Sequence, residues 1–368
     1  MNQHAETFLY ELLSIPSPTG FEAPGQRKWA SYVGQFADAL DSDAYGNVWA
    51  KLDGSDPDAP TIMLEAHADE IGYIVKYITK EGFLHIDRLG GSDAATGRGR
   101  RVDILGDKGP VRGVIGNTAI HLRRDDLATE KAPKIHELFI DVGADSAEDV
   151  QKLGIRVGHP AVYVDAAEPL GKDRIVGRAL DNRIGGFIIA CVLEALSKRK
   201  KRPTANLVIV NAVQEEIGGL GAKMVAHRLS PDVAIVLDVT HATDTPGISK
   251  AKHGEVKLGK GPSLTHGACN HPQIVDHFIT LGRKKKIPLQ MEAAGRYSGT
   301  DTDQIYHIKN GIPSALVSLP LRYMHSVIET AHLKDIDHTV NLLEAFLLSI
   351  NKGDDFKVQI ETTVKQSG

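Results

Sequence analysis

Histidines and carboxylates stand just past the carboxyl ends of four short apolar runs. Thr61–Leu64 leads into Glu65-Ala66-His67-Ala68-Asp69-Glu70, Leu207–Val213 into Gln214-Glu215-Glu216, Val233–Leu237 into Asp238, and Ala315–Leu319 toward Arg322-Tyr323-Met324-His325. Asp181, in Leu180-Asp181-Asn182-Arg183, adds a carboxylate ahead of another apolar segment. Singly, each has an ordinary explanation: a His after a strand hydrogen-bonds to its surroundings, an Asp before a helix caps it, and paired Glu sit in solvated loops. Together they are harder to explain that way, because crowded carboxylates repel unless a cation lies among them.

His, Asp and Glu without Cys suit Zn²⁺, Co²⁺ or Mn²⁺. If Asp181, Glu216 and Asp238 are ionised ligands and His67 and His325 are neutral, the set carries a charge of −3. Two divalent cations carry +4, and one hydroxide neutralises the difference. The balance favours a bridged pair of ions about 3.5–4 Å apart, which can bind a carbonyl oxygen and activate water. Adjacent Glu215 and Glu216 point in different directions, so one can ligate while the other stays free as a general base. Asp69, two residues past His67, is suited to accept the second imidazole N–H and fix the tautomer.

The elements that must position these groups follow from hydrophobic periodicity. The four apolar runs are too short for buried helices and rich in β-branched residues, and so read as interior strands of a sheet covered on both faces. Ligands in such sheets bind beyond the carboxyl ends of the strands. Helical spacing runs from Gln3 to Ile15 and again over about Gly25–Ala37, Ile184–Leu196 is apolar almost all round, and Asp335–Ile350 closes the pattern. From about Tyr73 to Gly171 the texture changes to alternating segments such as Tyr73–Ile78, with turn clusters such as Gly106-Asp107-Lys108-Gly109-Pro110. One helix is expected inside it at Ala147–Leu153, with Ser146 and Asp149 forming a capping box. The expected fold is α/β: a mixed, mainly parallel sheet covered by helices (residues 1–72 plus 172–353), an inserted β-rich domain (73–171) and a polar tail (354–368).

Composition narrows the function classes. The chain has 368 residues, enough for a large core, with 43 Lys and Arg against 47 Asp and Glu and only 5% aromatics. No basic surface or stacking platform points to nucleic acid. Two cysteines, Cys191 and Cys269, far apart, fit a reducing cytoplasm rather than a disulfide framework. The start lacks a signal pattern and no run reaches the roughly 18 apolar residues of a membrane span. The basic runs Lys198–Arg202 and Arg283–Lys286 read as solvated helix ends or loops. Rival motifs fail: Gly218-Gly219-Leu220-Gly221 has Met224 where a dinucleotide loop needs its third glycine, and His136-Glu137 lacks the second His of HExxH.

At these residues the sequence resembles the dinuclear metallo-aminopeptidases, specifically the glutamyl aminopeptidase-like family that includes the tetrahedral TET peptidases. The matching segments are SIPSPTGFE near the start, HADEIG at 67–72, GRALDNRIGG at 177–186, QEEIGGLGA at 214–222, LDVT at 237–240, GTDTD at 299–303 and YMHS at 323–326. The largest gap in the ligand series falls between His67 and Asp181, where that family carries its dimerisation domain. The resemblance implies two Zn²⁺ or Co²⁺ ions, one on His67, Asp181 and Asp238, the other on Asp181, Glu216 and His325. Asp181 would bridge them, Glu215 would serve as general base and Asp69 would support His67. It also implies a cis peptide at Asp181-Asn182, a substrate pocket lined by 299–303, short peptides as substrates, and dimers assembling to a dodecamer. Two rival readings remain: a dinuclear deacylase of N-acyl amino acids, and a metal-stabilised shell protein without turnover.

Overall fold

The structure is a computed structural model that describes residues 3–123, 131–358 and 360. Part of the expected polar tail, residue 359 and residues 361–368, lies outside the described residues. An eight-stranded sheet runs in the order β1 (Ala39–Ser42), β2 (Val48–Leu52), β12 (Asn206–Ala212), β3 (Thr61–His67), β13 (Val233–His241), β16 (Ser314–Leu321), β14 (Ser263–Gly267), β15 (Gln290–Ala294). The four strands read from the sequence are its parallel centre, β12-β3-β13-β16, so their carboxyl ends share one edge. Antiparallel pairings on either side make the sheet mixed.

Both faces are covered, as continuous apolar strands require. Ile62, Leu64 and Ala66 of β3, with Leu207 and Ile209 of β12, enter the larger core with the helices Gln3–Ser14, Ala23–Val33, Leu180–Ser197, Pro272–Lys285 and Leu333–Leu347. Their alternates Met63, Val208 and Val210 enter a second core under the Leu220–Leu229 helix. The Leu180–Ser197 helix is buried almost all round; its backbone is helical only after Asn182, because Asp181 and Asn182 have non-helical angles across a cis peptide bond.

Six strands close a barrel with a core of its own: β4 (Gly72–Ile78), β5 (Leu84–Leu89), β8 (Phe139–Asp141), β7 (Gly109–Ile115), β6 (Arg101–Gly106) and β9 (Pro160–Tyr163). β10 (Glu168–Leu170), β11 (Arg174–Gly177) and β17 (Glu329–His332) form a small sheet that meets the large one through β17 and β16. Three expectations shift. The second helix starts earlier, at Ala23 with Pro24 in its first turn, and ends at Val33; the last ends at Leu347. At Ala147–Lys152 Ser146 accepts the Asp149 N–H, but the Asp149 carboxylate takes the Ser146 hydroxyl, so the reciprocal capping box does not form. Asp is one methylene shorter than the Glu that reaches back to the N-cap amide. Among the described residues no helix is long and apolar enough to cross a membrane, and both cysteines are free.

Candidate active site

The shared strand edge brings all five expected ligands together. His67 ends β3, and its Nε2 lies 3.2 Å from Asp181 Oδ1 and 3.8 Å from Asp238 Oδ1. His325, after β16, places Nε2 3.4 Å from the other Asp181 oxygen and 3.4 Å from Glu216 Oε1. Two trios result, His67/Asp181/Asp238 and Asp181/Glu216/His325, each with its donor atoms within 4.8 Å of one another. A tetrahedral ion held at about 2.1 Å needs donors about 3.4 Å apart, so the donor types and spacing fit two zinc-like ions sharing Asp181. Asp181 is held at that junction from two sides. Its amide donates to Glu329 Oε2 (3.1 Å), and Asn182 Nδ2 donates to Leu237 O (2.6 Å), one residue before Asp238.

The electrostatics match such a donor set. Burial raises Asp238 well above the usual carboxylate range, and burial with neighbouring Asp301, Glu216 and Asp181 pushes Glu215 up to about 9. His325 is pushed up to about 11 by its contacts with Asp181 and Glu216. Asp181 goes the other way: burial opposes its ionisation, but His325 and His67 together lower it. Acids forced up and imidazoles forced to protonate mark a pocket that needs positive charge at its centre. Glu215 belongs to neither trio; its Oε2 lies 3.9 Å from His67 Nε2 and it lines the same cavity of about 340 Å³.

Asp69 touches more than His67. Its Oδ1 lies 3.4 Å from His67 Nδ1 and accepts the Glu215 amide at 3.0 Å. Its Oδ2 accepts the Glu216 amide at 3.1 Å and the Thr19 hydroxyl at 2.9 Å. The nearer partner of His67 Nδ1 is the Asp69 main-chain carbonyl, at 3.2 Å, while the fully buried carboxylate holds both members of the Glu pair by their amides. In the 299–303 segment, Gly299 and Thr300 line the cavity beside Ser298. Asp303 holds this loop by accepting the Ser298 and Gly299 amides, whereas Asp301 turns inward and is buried. Burial raises Asp301 and also Glu65, the latter to about 8, and each feels the other.

Two supports were not read from the sequence. Glu329 on β17 accepts the His325 amide (2.9 Å) as well as the Asp181 amide, and nothing in Ile328-Glu329-Thr330 marks it as other than a strand residue. Gly90 and Gly91, after β5, press against the ligands: a Cβ on Gly91 would meet the His325 ring at 2.5 Å, and one on Gly90 would meet Glu216 Cβ at 2.8 Å. The glycine pair was the available signal, since adjacent glycines mark close approach as well as turns. A larger cavity, about 1020 Å³, opens at the amino ends of the same strands beside Pro60, Val233 and Ser314, away from these groups.

The M42 glutamyl aminopeptidase family model matches residues 46–342. The lysyl aminopeptidase of Pyrococcus furiosus is 33% identical over 347 residues, covering 94% of this chain and 97% of that protein. Among solved structures, an aminopeptidase from the archaeon Desulfurococcus kamchatkensis is 34% identical with a TM-score of 0.88, covering 95% of this chain and 97% of that one. The Pyrococcus horikoshii TET1 peptidase, which can assemble into a tetrahedron or a large octahedral shell, is 28% identical with a TM-score of 0.82, covering 94% and 100%. With a match along this much of its length, the chain belongs to the M42 glutamyl aminopeptidase family, a family of metallopeptidases, and is an aminopeptidase.

Proposed function

We propose that this chain removes N-terminal residues from short peptides using two divalent cations, zinc or cobalt, held by His67, Asp181 and Asp238 and by Asp181, Glu216 and His325. When bound, such a pair supplies Lewis-acid polarisation of the scissile carbonyl and a water of lowered pKa. Glu215 takes the proton of the attacking water and hands it to the leaving amine. Asp69 orients His67 through Nδ1 by its main-chain carbonyl, with the carboxylate close by, and holds Glu215 and Glu216 by their amides. The observation that carries this reading is the unligated Glu215 beside two donor trios that share Asp181. A free acid at that place has no structural task, which is why turnover is favoured over an inert metal-stabilised shell.

The barrel region, 73–171, is assigned as a domain inserted within the catalytic domain of 1–72 and 172–353, since it carries a separate core, and its dimerisation role is carried over from the family resemblance. The assembly is assigned as dimers building a dodecamer, and the compartment as cytoplasmic, in keeping with two unpaired cysteines. Glu215→Gln keeps the shape of the side chain and removes the base. Elemental analysis is expected to find unchanged ion content, with turnover of aminoacyl anilides reduced about 10²–10⁴-fold. Full turnover with intact ions would refute the assignment. Turnover of N-acetylated but not free-amine anilides would favour the deacylase reading instead.

A further inference from the structure

One buried charge cluster lies outside the cavity lining and pairs with no expected ligand. The Glu70 carboxylate is paired with Arg178 through one oxygen and with Arg183 Nη2 through the other, at 2.5 Å for the latter. All three residues are at most 5% exposed. Their guanidinium groups also cap the carboxyl end of the Gln3–Ser14 helix: Arg178 donates to Ser14 O at 3.2 Å, and Arg183 to Leu12 O at 2.9 Å and to Ile15 O. Glu70 Oε1 further accepts the Ser17 amide at 2.8 Å, and the Glu70 backbone exchanges bonds with Ser17 and Thr19.

Position in the chain gives the cluster its leverage. Glu70 follows Asp69 directly and stands three residues past His67, while Arg178 and Arg183 bracket Asp181. The cluster therefore ties the exit of β3 to the turn carrying Asp181, and none of its three residues lines the cavity. The other trio has a separate tie, because Glu329 accepts the amides of Asp181 and His325 and holds those two ligands together.

We infer that Arg178, Glu70 and Arg183 are positioning residues that set the separation of His67 from the shared Asp181, so that their loss weakens the His67/Asp181/Asp238 cation position more than the other, while Glu329, which holds His325 to Asp181, does the reverse. This rests on the two-cation reading proposed above. A ligand pair displaced by even about 1 Å loses most of its pre-organisation. Each guanidinium divides its nitrogens between one Glu70 oxygen and carbonyls at the end of the first helix, so the planar group fixes distance and angle between the two as a lysine cannot.

Arg178→Lys tests it, keeping the charge but not the fork; Glu70→Asp, shorter by one methylene, is the second variant should the first fail to fold. Full-length protein loaded with Co²⁺ is exposed to a chelator, and ion release is followed by visible absorption and elemental analysis. Leu347→Ala, buried in the last helix and carrying none of the cluster's hydrogen bonds, is the control for general destabilisation. We expect one of the two ions to leave Arg178→Lys at least tenfold faster than wild type and at least tenfold faster than the other ion, both to stay in Leu347→Ala, and the Co²⁺ absorption to fall by about half in that first phase. In Glu329→Gln the ion retained by Arg178→Lys should be the one lost. Wild-type release of both ions from Arg178→Lys, equal acceleration of both, or an equal loss in the Leu347 control overturns the inference. A wild-type protein that never holds two ions removes the two-cation reading, and this inference with it.

Discussion

Asp69→Asn changes one atom in a fully buried residue, and the hydrogen-bond pattern dictates the cost. The carboxylate faces donors on both oxygens: the Glu215 amide on Oδ1, the Glu216 amide and the Thr19 hydroxyl on Oδ2. The Thr19 hydroxyl can rotate to accept from an amide nitrogen, but a backbone N–H cannot. Either orientation of the asparagine side chain therefore sets an NH₂ group against a backbone donor. One buried donor left unsatisfied costs about 1–3 kcal/mol, and the surviving bonds lose the extra strength of a charged acceptor, about 1 kcal/mol more in total. The expected loss is about 3 kcal/mol in urea unfolding of the chelated protein. Because the repelled amides carry Glu215 and Glu216, turnover of aminoacyl anilides should fall about 100-fold as well, the penalty for misplacing a reacting group by about 1 Å. An unfolding midpoint equal to wild type, or turnover within twofold, would refute the account of Asp69 as a shared anchor.

Gly91→Ala inserts a methyl group 2.5 Å from the His325 ring. Gly91 is exposed, so unfolding should shift by no more than about 0.5 kcal/mol, while turnover drops at least tenfold and elemental analysis finds one ion fewer; normal ion content would show that the ring yields freely. Glu22 gives a pH signature. Burial, with Asp69 nearby, raises its carboxyl to about 7, so the folded state holds a proton that the unfolded chain releases near 4.5. Its stabilising share is present below about 4.5 and lost as pH rises through about 7, a swing of about 3 kcal/mol. Glu22→Gln retains an acceptor for the Gly20 and Gln214 amides, and its melting temperature between pH 5 and pH 8 should be flatter than that of wild type; parallel curves would contradict the shift.

The central strands and the ligands at their ends were legible because both faces of those strands are buried, which writes an uninterrupted apolar run followed by a polar end. The edges of the sheet write nothing comparable. β1 is exposed along its length, and β15 alternates half-buried and exposed positions with Gln290 and Glu292 among them. The Leu220–Leu229 helix hides behind the glycines of Gly218-Gly219-Leu220-Gly221, which read as loop even though Gly219 only supplies a left-handed turn before the helix. Glu70 and Glu329 show the same limit in the site. Both are buried acids with at least one partner far away in sequence, Arg178 and Arg183 for Glu70 and Asp181 for Glu329, and a single chain displays the acid but not what faces it. Spacing revealed His67 and Asp69 as a pair because they are neighbours; only the fold reveals that Arg178 and Arg183 meet between them and the first helix.

The glycines after β5 bear on how the barrel and the sheet edge depend on each other. Gly91 O lies 3.2 Å from His325 Nδ1, so the barrel side fixes which imidazole nitrogen faces Asp181 and Glu216. Two residues past His325, Val327 is buried in the barrel core with Tyr73, Ile104 and Leu138, not in either core of the sheet. His325 and Tyr323 both adopt φ of +59°, a left-handed conformation that ordinary side chains adopt only when their surroundings hold them. Here the hold comes from two directions, the Glu329 carboxylate on the His325 amide and the Val327 anchor in the barrel. The His67 trio is built wholly from strand ends of the sheet and the turn at Asp181, whereas the His325 trio is completed by groups that the barrel presents. A change in how the barrel seats against the sheet would therefore reach the His325 side of the site first, through Gly91 and Val327, and leave His67 and Asp238 where the parallel strands put them.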